Sequence, residues 1–303
     1  MAPFKSGFIS ILGRPNVGKS TLFNHLLGEK IAIVAEKPQT TRNKILGIKN
    51  TERGQLIFLD TPGVIEGRSE LNHRMARAAI ASGRDADVLL FLTEATAPLI
   101  EKDQQIIGLL RGTSGIPFLV INKIDLVRKE NLLPIMDQYQ RLYSFKEILP
   151  ISAMTGEGID ILFDEILKVL PESPPYYPED MLTDQTERFW VSEIIREKVI
   201  RQSYQEIPYA TAVVIEEFKE HSEKNLLVIK ATIHVERDSQ KKILIGKGGQ
   251  KLKKIGEAAR KEMETLLGTR VFLELWVNVE KNWTQDPRLL NRLGYPATLN
   301  HSH

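Results

Sequence analysis

The sequence predicts an α/β domain, a mostly parallel sheet with helices on both faces, followed by a smaller α+β domain. Three observations predict it. From Phe8 to about Leu170, short apolar runs alternate with amphipathic stretches, the pattern of strands joined by crossover helices. Four prolines within the eight residues Pro171 to Pro178 then break both periodicities. Beyond them the order becomes helix, two strands, two helices and a strand, which no longer alternates.

Taken in order, the first domain has candidate strands at 8–12, 44–49, 56–60, 88–93, 117–122 and 148–152. Helical patterns lie at 19–27, 71–82, 102–110, 131–142 and 159–170. The proline-dense stretch cannot continue a helix or pair inside a sheet, so it reads as a stiff, extended linker. Past it come a helix at 185–202, strands at 209–218 and 225–236, and a polar turn at 219–224 between those strands. A short helix at 239–245, a glycine turn, a helix at 250–267 and a strand at 270–279 complete the second domain. The expected division is residues 5–171, a linker at 172–182, a second domain at 183–292 and a tail at 293–303.

Composition limits the chemistry. The 303 residues carry a net charge of +2, so any basic surface must be local. There is no cysteine, which excludes disulfides, thiolate metal sites and a cysteine nucleophile. The start of the chain lacks a secretory apolar run, and no stretch approaches membrane-spanning length. A cytoplasmic protein is expected.

Gly13-Arg14-Pro15-Asn16-Val17-Gly18-Lys19-Ser20 fits G-x-x-x-x-G-K-[ST] between a predicted strand and a predicted helix. Its glycines let backbone N–H groups turn toward phosphates at the positive end of the helix, which Thr21 continues. Lys19 supplies a point charge for the β- and γ-phosphates, and Ser20 a hydroxyl for Mg²⁺. Asp60-Thr61-Pro62-Gly63 follows at another strand end. Asp60 there reads as a carboxylate for Mg²⁺ through a water, and Gly63 as an N–H for the γ-phosphate. Between the two lies 36–43, in which a threonine hydroxyl can complete the metal shell when the γ-phosphate is present. Thr41 is favoured and Thr40 is the alternative.

Asn122-Lys123-Ile124-Asp125 chooses the base. The Asp125 carboxylate can accept from both N1–H and N2–H of guanine, whereas adenine presents an acceptor at N1. Asn122 is expected at guanine N7/O6, with the stem of Lys123 along the ring. Ser152-Ala153 follows the next strand, with the Ala153 N–H expected at the base carbonyl. GTP and GDP are therefore the predicted ligands.

These five elements in this order resemble the translation-factor-like GTPases. Asn16, Gln39-Thr40-Thr41-Arg42 and Asp60-Thr61-Pro62-Gly63 are similar to the Era subfamily. The resemblance implies a P-loop GTPase domain in which Asn16, Lys19, Thr41, Asp60 and Gly63 carry hydrolysis. Val64 stands where Ras-like proteins keep a water-orienting glutamine. The resemblance also implies K⁺ as a second cofactor, ligated by Asn16 and supplying charge that an arginine finger supplies elsewhere.

In the second domain, Gly246-Lys247-Gly248-Gly249 joins two predicted helices. Residues 237–261 hold nine basic side chains against two acidic ones, a local balance of +7. Glycines that admit a backbone, helix ends and clustered lysines are the KH arrangement for gripping single-stranded RNA. Lys242, Ile245, Gly246, Lys247, Gly248, Gly249, Lys251, Lys253 and Lys254 are the candidate RNA contacts. The element order resembles the type II KH topology. Bases are expected along the strand near 227–235, and Trp190, Trp276 and Trp283 are expected in core or linker packing.

The resemblance makes the RNA small-subunit ribosomal RNA near its 3′ end and the role small-subunit assembly, by a monomer that does not take DNA. It also allows peripheral contact with the inner membrane, although no anchor is visible. The alternative reading is a nucleotide-regulated RNA-binding scaffold or chaperone in which hydrolysis is incidental.

Overall fold

The computed structural model describes residues 3–297 except 36, 38, 64–66, 68, 97–100, 205, 222 and 224. Val64 and the end of the tail thus lie outside the described residues. The chain divides into two compact units. The first takes residues 1–34, 41–67 and 75–184, and the second takes 35–40, 68–74 and 185–303.

In chain order the first part runs β1 (Lys5–Gly13), α1 (Lys19–Leu27), β2 (Ile45–Thr51), β3 (Gly54–Asp60), α2 (Glu70–Arg84), β4 (Val88–Glu94) and α3 (Glu101–Leu110). It continues through β5 (Ile116–Asn122), α4 (Leu132–Leu142), β6 (Glu147–Pro150) and α5 (Ile159–Val169). The strands form one sheet in the order β2-β3-β1-β4-β5-β6. Every pairing in it is parallel except β2 with β3. All seven residues of β3 are buried, as expected for a strand covered on both faces. The C-terminal ends of β1, β3, β4 and β5 carry Gly13, Asp60, Glu94 and Asn122, so the motifs collect along one edge of the sheet.

Glycines set the bounds of α1. Gly18 precedes it at φ +99°, and Gly28 closes it at φ +78° with its N–H on the carbonyls of Asn24 and His25.

The proline-dense stretch is not a free spacer. The Ser6 N–H donates to the Pro171 carbonyl at 3.2 Å, and Gln55 bonds the backbone of both Tyr176 and Tyr177. The Ile48 N–H donates to the Leu182 carbonyl at 2.8 Å. Residues 171–184 are therefore a strap on the first unit, and the division falls at 184/185. Prolines suit this role because they need no partner for a backbone N–H.

The second part runs α6 (Glu187–Gln202), β7 (Ala212–His221), β8 (Leu226–Val235), α7 (Asp238–Ile245), α8 (Gln250–Leu267), β9 (Arg270–Val279) and α9 (Pro287–Arg292). The three strands pair in the order β7-β8-β9, antiparallel then parallel. Alternation on β8 sends Leu227, Ile229, Ala231, Ile233 and Val235 into one core with Val191, Ile195 and Val199 of α6 and Ile255, Ala259 and Met263 of α8. Each Val, Leu, Ile or Met among them contributes about 1.5–3 kcal/mol when taken from water, before the cost of ordering the chain. The opposite face of β9 carries Phe272 and Trp276, exposed by 53% and 61%. The expectation that Trp276 packs in the core fails because the strand alternates and position 276 falls on the face without helices. Trp283 is fully buried, its indole N–H donating to the Ala210 carbonyl.

Candidate functional site

The phosphate loop joins β1 to α1. Its glycines are needed where neighbours crowd: a Cβ on Gly18 would lie 2.3 Å from Asn122 Nδ2, and one on Gly13 would lie 2.4 Å from the Leu92 carbonyl oxygen. No side chain caps α1, so its first N–H groups remain for an anion. Lys19 opens the helix almost fully buried, donating to the carbonyls of Arg14 at 2.8 Å and Gly13 at 3.2 Å. Burial lowers its pKa to about 8, against the opposing pull of Asp60 and with a smaller push from Arg14. An arriving phosphate would stabilise the ammonium and raise its pKa again.

Asp60 is fully buried and accepts through Oδ2 from Ser20 Oγ at 2.8 Å and Thr41 Oγ1 at 2.9 Å. The two hydroxyls are 2.8 Å apart, and Asp60 Oδ1 is buried without a hydrogen bond. Burial raises the Asp60 pKa, with Lys19 opposing. Three converging hard oxygens with one carboxylate suit Mg²⁺, which prefers few protein ligands beside phosphates. Among the described residues no cluster of three His, Cys, Asp or Glu offers a rival metal site. Thr41, not Thr40, joins this group; the carbonyls of Gln39 and Thr40 instead accept from the buried Arg196 guanidinium of α6, in the second unit. Gly63 abuts the loop so closely that a Cβ would meet Pro15 N at 2.9 Å.

At the base end, Asp125 is exposed in a short turn after β5, and the ammonium of Lys123 is held by Glu94. Lys123 takes a left-handed backbone at φ +64°. Asn122 is buried and bridges two loops. Its Nδ2 donates to the Val17 carbonyl at 2.8 Å and its Oδ1 accepts from the Ala153 N–H at 2.8 Å. The Ala153 N–H donates to Asn122 Oδ1, since a buried donor must find an acceptor. Asn122 in turn pins the phosphate loop to the Ser152-Ala153 loop, keeping one amide N–H to offer. Ser152 is buried, with its hydroxyl accepting from the Thr155 N–H.

In the second unit, Gly246, Gly248 and Gly249 all have positive φ, at +71°, +59° and +76°. No atom would meet a Cβ within 4 Å at Gly248 or Gly249, so the turn stands open to an approaching backbone. Lys242, Lys247, Lys253 and Lys254 are exposed around it, and Lys251 is half-buried. Ile245 packs partly against the core, while Ile243 beside it is exposed. A groove of about 330 Å³ begins at Gly249 and runs between α8 (Leu252, Gly256, Arg260) and β9 (Leu273, Leu275). This corrects the expected reading strand. β8 is paired on both sides, leaving no backbone edge for a base, whereas β9 is an edge strand beside the groove.

Two family models match the chain. The first, described as a 50S ribosome-binding GTPase, covers residues 8–123, and a KH domain covers 206–284. GTPase Era of Syntrophus aciditrophicus (strain SB) is 56% identical over 96% of this chain and 95% of its own length. The chain belongs to the Era family of GTPases. GTPase Era of Geobacter metallireducens is 55% identical over 97% of the chain and 98% of its own. The crystal structure of Aquifex aeolicus Era, a point variant bound to GDP and AlF₄⁻, is 43% identical with a TM-score of 0.94, over 97% of this chain and all of that one. An Era structure in complex with MgGDPNP and nucleotides 1506–1542 of 16S ribosomal RNA agrees equally well, with a TM-score of 0.94 at 43% identity over 97% and 99% of the two chains.

An Era-family chain is thus a GTP-hydrolysing enzyme with a P-loop GTPase domain and a C-terminal KH domain, as the sequence predicts. Sequence reasoning missed Glu94, Asp103 and the helix α9. The signal for α9 is present: Asp286 caps it, accepting from the Arg288 and Leu289 N–H groups, and Pro287 takes the first helical position. Nothing local marks Asp103 or Glu94, whose partners lie far along the chain.

Proposed function

We propose that this GTPase uses its nucleotide cycle to control the grip of its KH unit on single-stranded small-subunit ribosomal RNA near the 3′ end, in assembly of that subunit. The observation that carries it is the pairing, in one chain, of the Ser20–Thr41–Asp60 oxygen cluster with an open, lysine-ringed glycine turn above an edge-strand groove. The Era relative crystallised with MgGDPNP and a 16S fragment supports both halves of the reading.

Ser20, Thr41 and Asp60 would hold Mg²⁺, which when bound supplies positive charge to the phosphate oxygens. The chain's own residues do the remaining work. The open N-terminus of α1 and Lys19 bind the β- and γ-phosphates, and Gly63 lies so close to Pro15 that no side chain fits between. Asp125 reads the guanine edge, Lys123 lies along the ring with its charge held by Glu94, and Asn122 holds the loops together. Thr41 would help hold the metal only while the γ-phosphate is bound, so hydrolysis would free the segment that precedes it. Asn16, exposed in the loop at φ +64°, would ligate K⁺ through its side-chain oxygen. Without K⁺ and RNA the rate should be on the order of 10⁻³ s⁻¹ or below, as in GTPases whose active site is incomplete.

In the second unit the glycine turn takes phosphates, the lysines neutralise them, and the β9 edge and groove take bases. Among the described residues no helix is long and apolar enough to cross a membrane, and a cytoplasmic monomer fits the role. Single-turnover GTP hydrolysis with Na⁺ or K⁺, with and without a 3′-terminal small-subunit rRNA oligonucleotide, tests the proposal. Acceleration by both K⁺ and RNA is expected. No acceleration by either would favour a scaffold in which hydrolysis is incidental.

A further inference from the structure

We propose that Asp103 is a positioning residue of the phosphate loop, acting through Arg14 to fix the carbonyl that aims Lys19. Arg14 is the second residue of the loop, yet its guanidinium turns to α3 and not into the loop. Its Nε donates to Asp103 Oδ1 at 2.7 Å. Asp103 is fully buried, and its other oxygen accepts from the Tyr139 hydroxyl of α4 at 2.7 Å and from Thr93 Oγ1 of β4 at 3.3 Å. Tyr139 is itself locked among Phe91, Ile106, Ile107 and Leu110. The carboxylate is therefore held from three elements before it meets the loop.

Stability is a poor explanation for this pair. Two buried charges lose their hydration, and an apolar pair of similar volume serves folding as well or better. What the pair does achieve is anchorage. The Arg14 carbonyl takes the shorter of the two Lys19 hydrogen bonds, so the placing of Arg14 bears on the ammonium. Tying the Arg14 side chain to a rigid carboxylate fixes that carbonyl, and through it the direction of the ammonium. It also holds the Arg14 charge beside a negative partner.

The inference rests on the phosphate role proposed for Lys19, which Lys19→Ala checks separately: unchanged GTP affinity there would remove that role. Fluorescent GTP and GDP affinities and melting temperature are to be measured for Asp103→Asn, Tyr139→Phe and the double variant R14M/D103L. Asp103→Asn should weaken GTP binding by about tenfold or more and GDP binding less, since Lys19 serves the γ-phosphate as well as the β-phosphate. The double variant should regain the melting temperature but not the GTP affinity, which separates anchorage from folding. Recovery of both would overturn the proposal, as would unchanged or raised GTP affinity in Asp103→Asn. Should the double variant fail to fold, Tyr139→Phe decides: it removes one hydroxyl, and an unchanged ratio of GTP to GDP affinity there overturns the proposal.

Discussion

Asp125 carries the choice of base on one carboxylate, which makes it the sharpest residue-scale test. Asp125→Asn replaces an acceptor of two guanine N–H groups by an amide that suits the C2 carbonyl and N1–H of xanthine. GTP affinity should fall by about two orders of magnitude while XTP affinity rises, as competition binding would show. Unchanged preference would move the base site elsewhere. The motif residues that touch the ligand are legible in the sequence because their chemistry and spacing are local. Those that hold them are not. Asn122 reads as a base contact, and only the fold shows that its amide also bonds Val17 and Ala153. Asp103 and Glu94 are ordinary acidic residues until Arg14 and Lys123 arrive beside them.

At the scale of elements, the glycine turn between α7 and α8 predicts its own test. Gly248 has φ +59°, which Asp and Asn tolerate better than most residues, and open space where a Cβ would go. Gly248→Asp therefore leaves the unit folded while placing a negative charge where RNA phosphates would lie. Affinity for an rRNA oligonucleotide should drop by about tenfold or more, with the melting temperature nearly unchanged. Retained RNA affinity would take the turn out of the interface. Helices α1, α8 and the strand β9 are legible to the residue, because αL glycines or a clear alternation bound them. Strand order is not legible. Period-two alternation says which face of β8 is buried, but pairing with β7 and β9 on both sides comes from long-range contacts. The strap at 171–184 was hidden for the same reason: proline density shows what it cannot form, and the bonds to Gln55 and Ile48 show where it lies.

For the whole molecule, a nearly neutral chain concentrates +7 within residues 237–261, so its RNA affinity should depend strongly on salt while its nucleotide affinity should not. Residues 35–40 and 68–74, on either side of Asp60 in sequence, group with the KH unit, so the chain that carries Thr41 is continuous with a segment held by α6. Under the proposed function such continuity would couple nucleotide and RNA binding, and coupling of this kind is reciprocal. The most direct test is RNA affinity of the full chain measured with Mg²⁺ and either GDP or a non-hydrolysable GTP analogue. The two affinities should differ by about fivefold or more, with the same factor recovered when nucleotide affinity is measured with and without RNA. Equal RNA affinity in both nucleotide states would contradict the account.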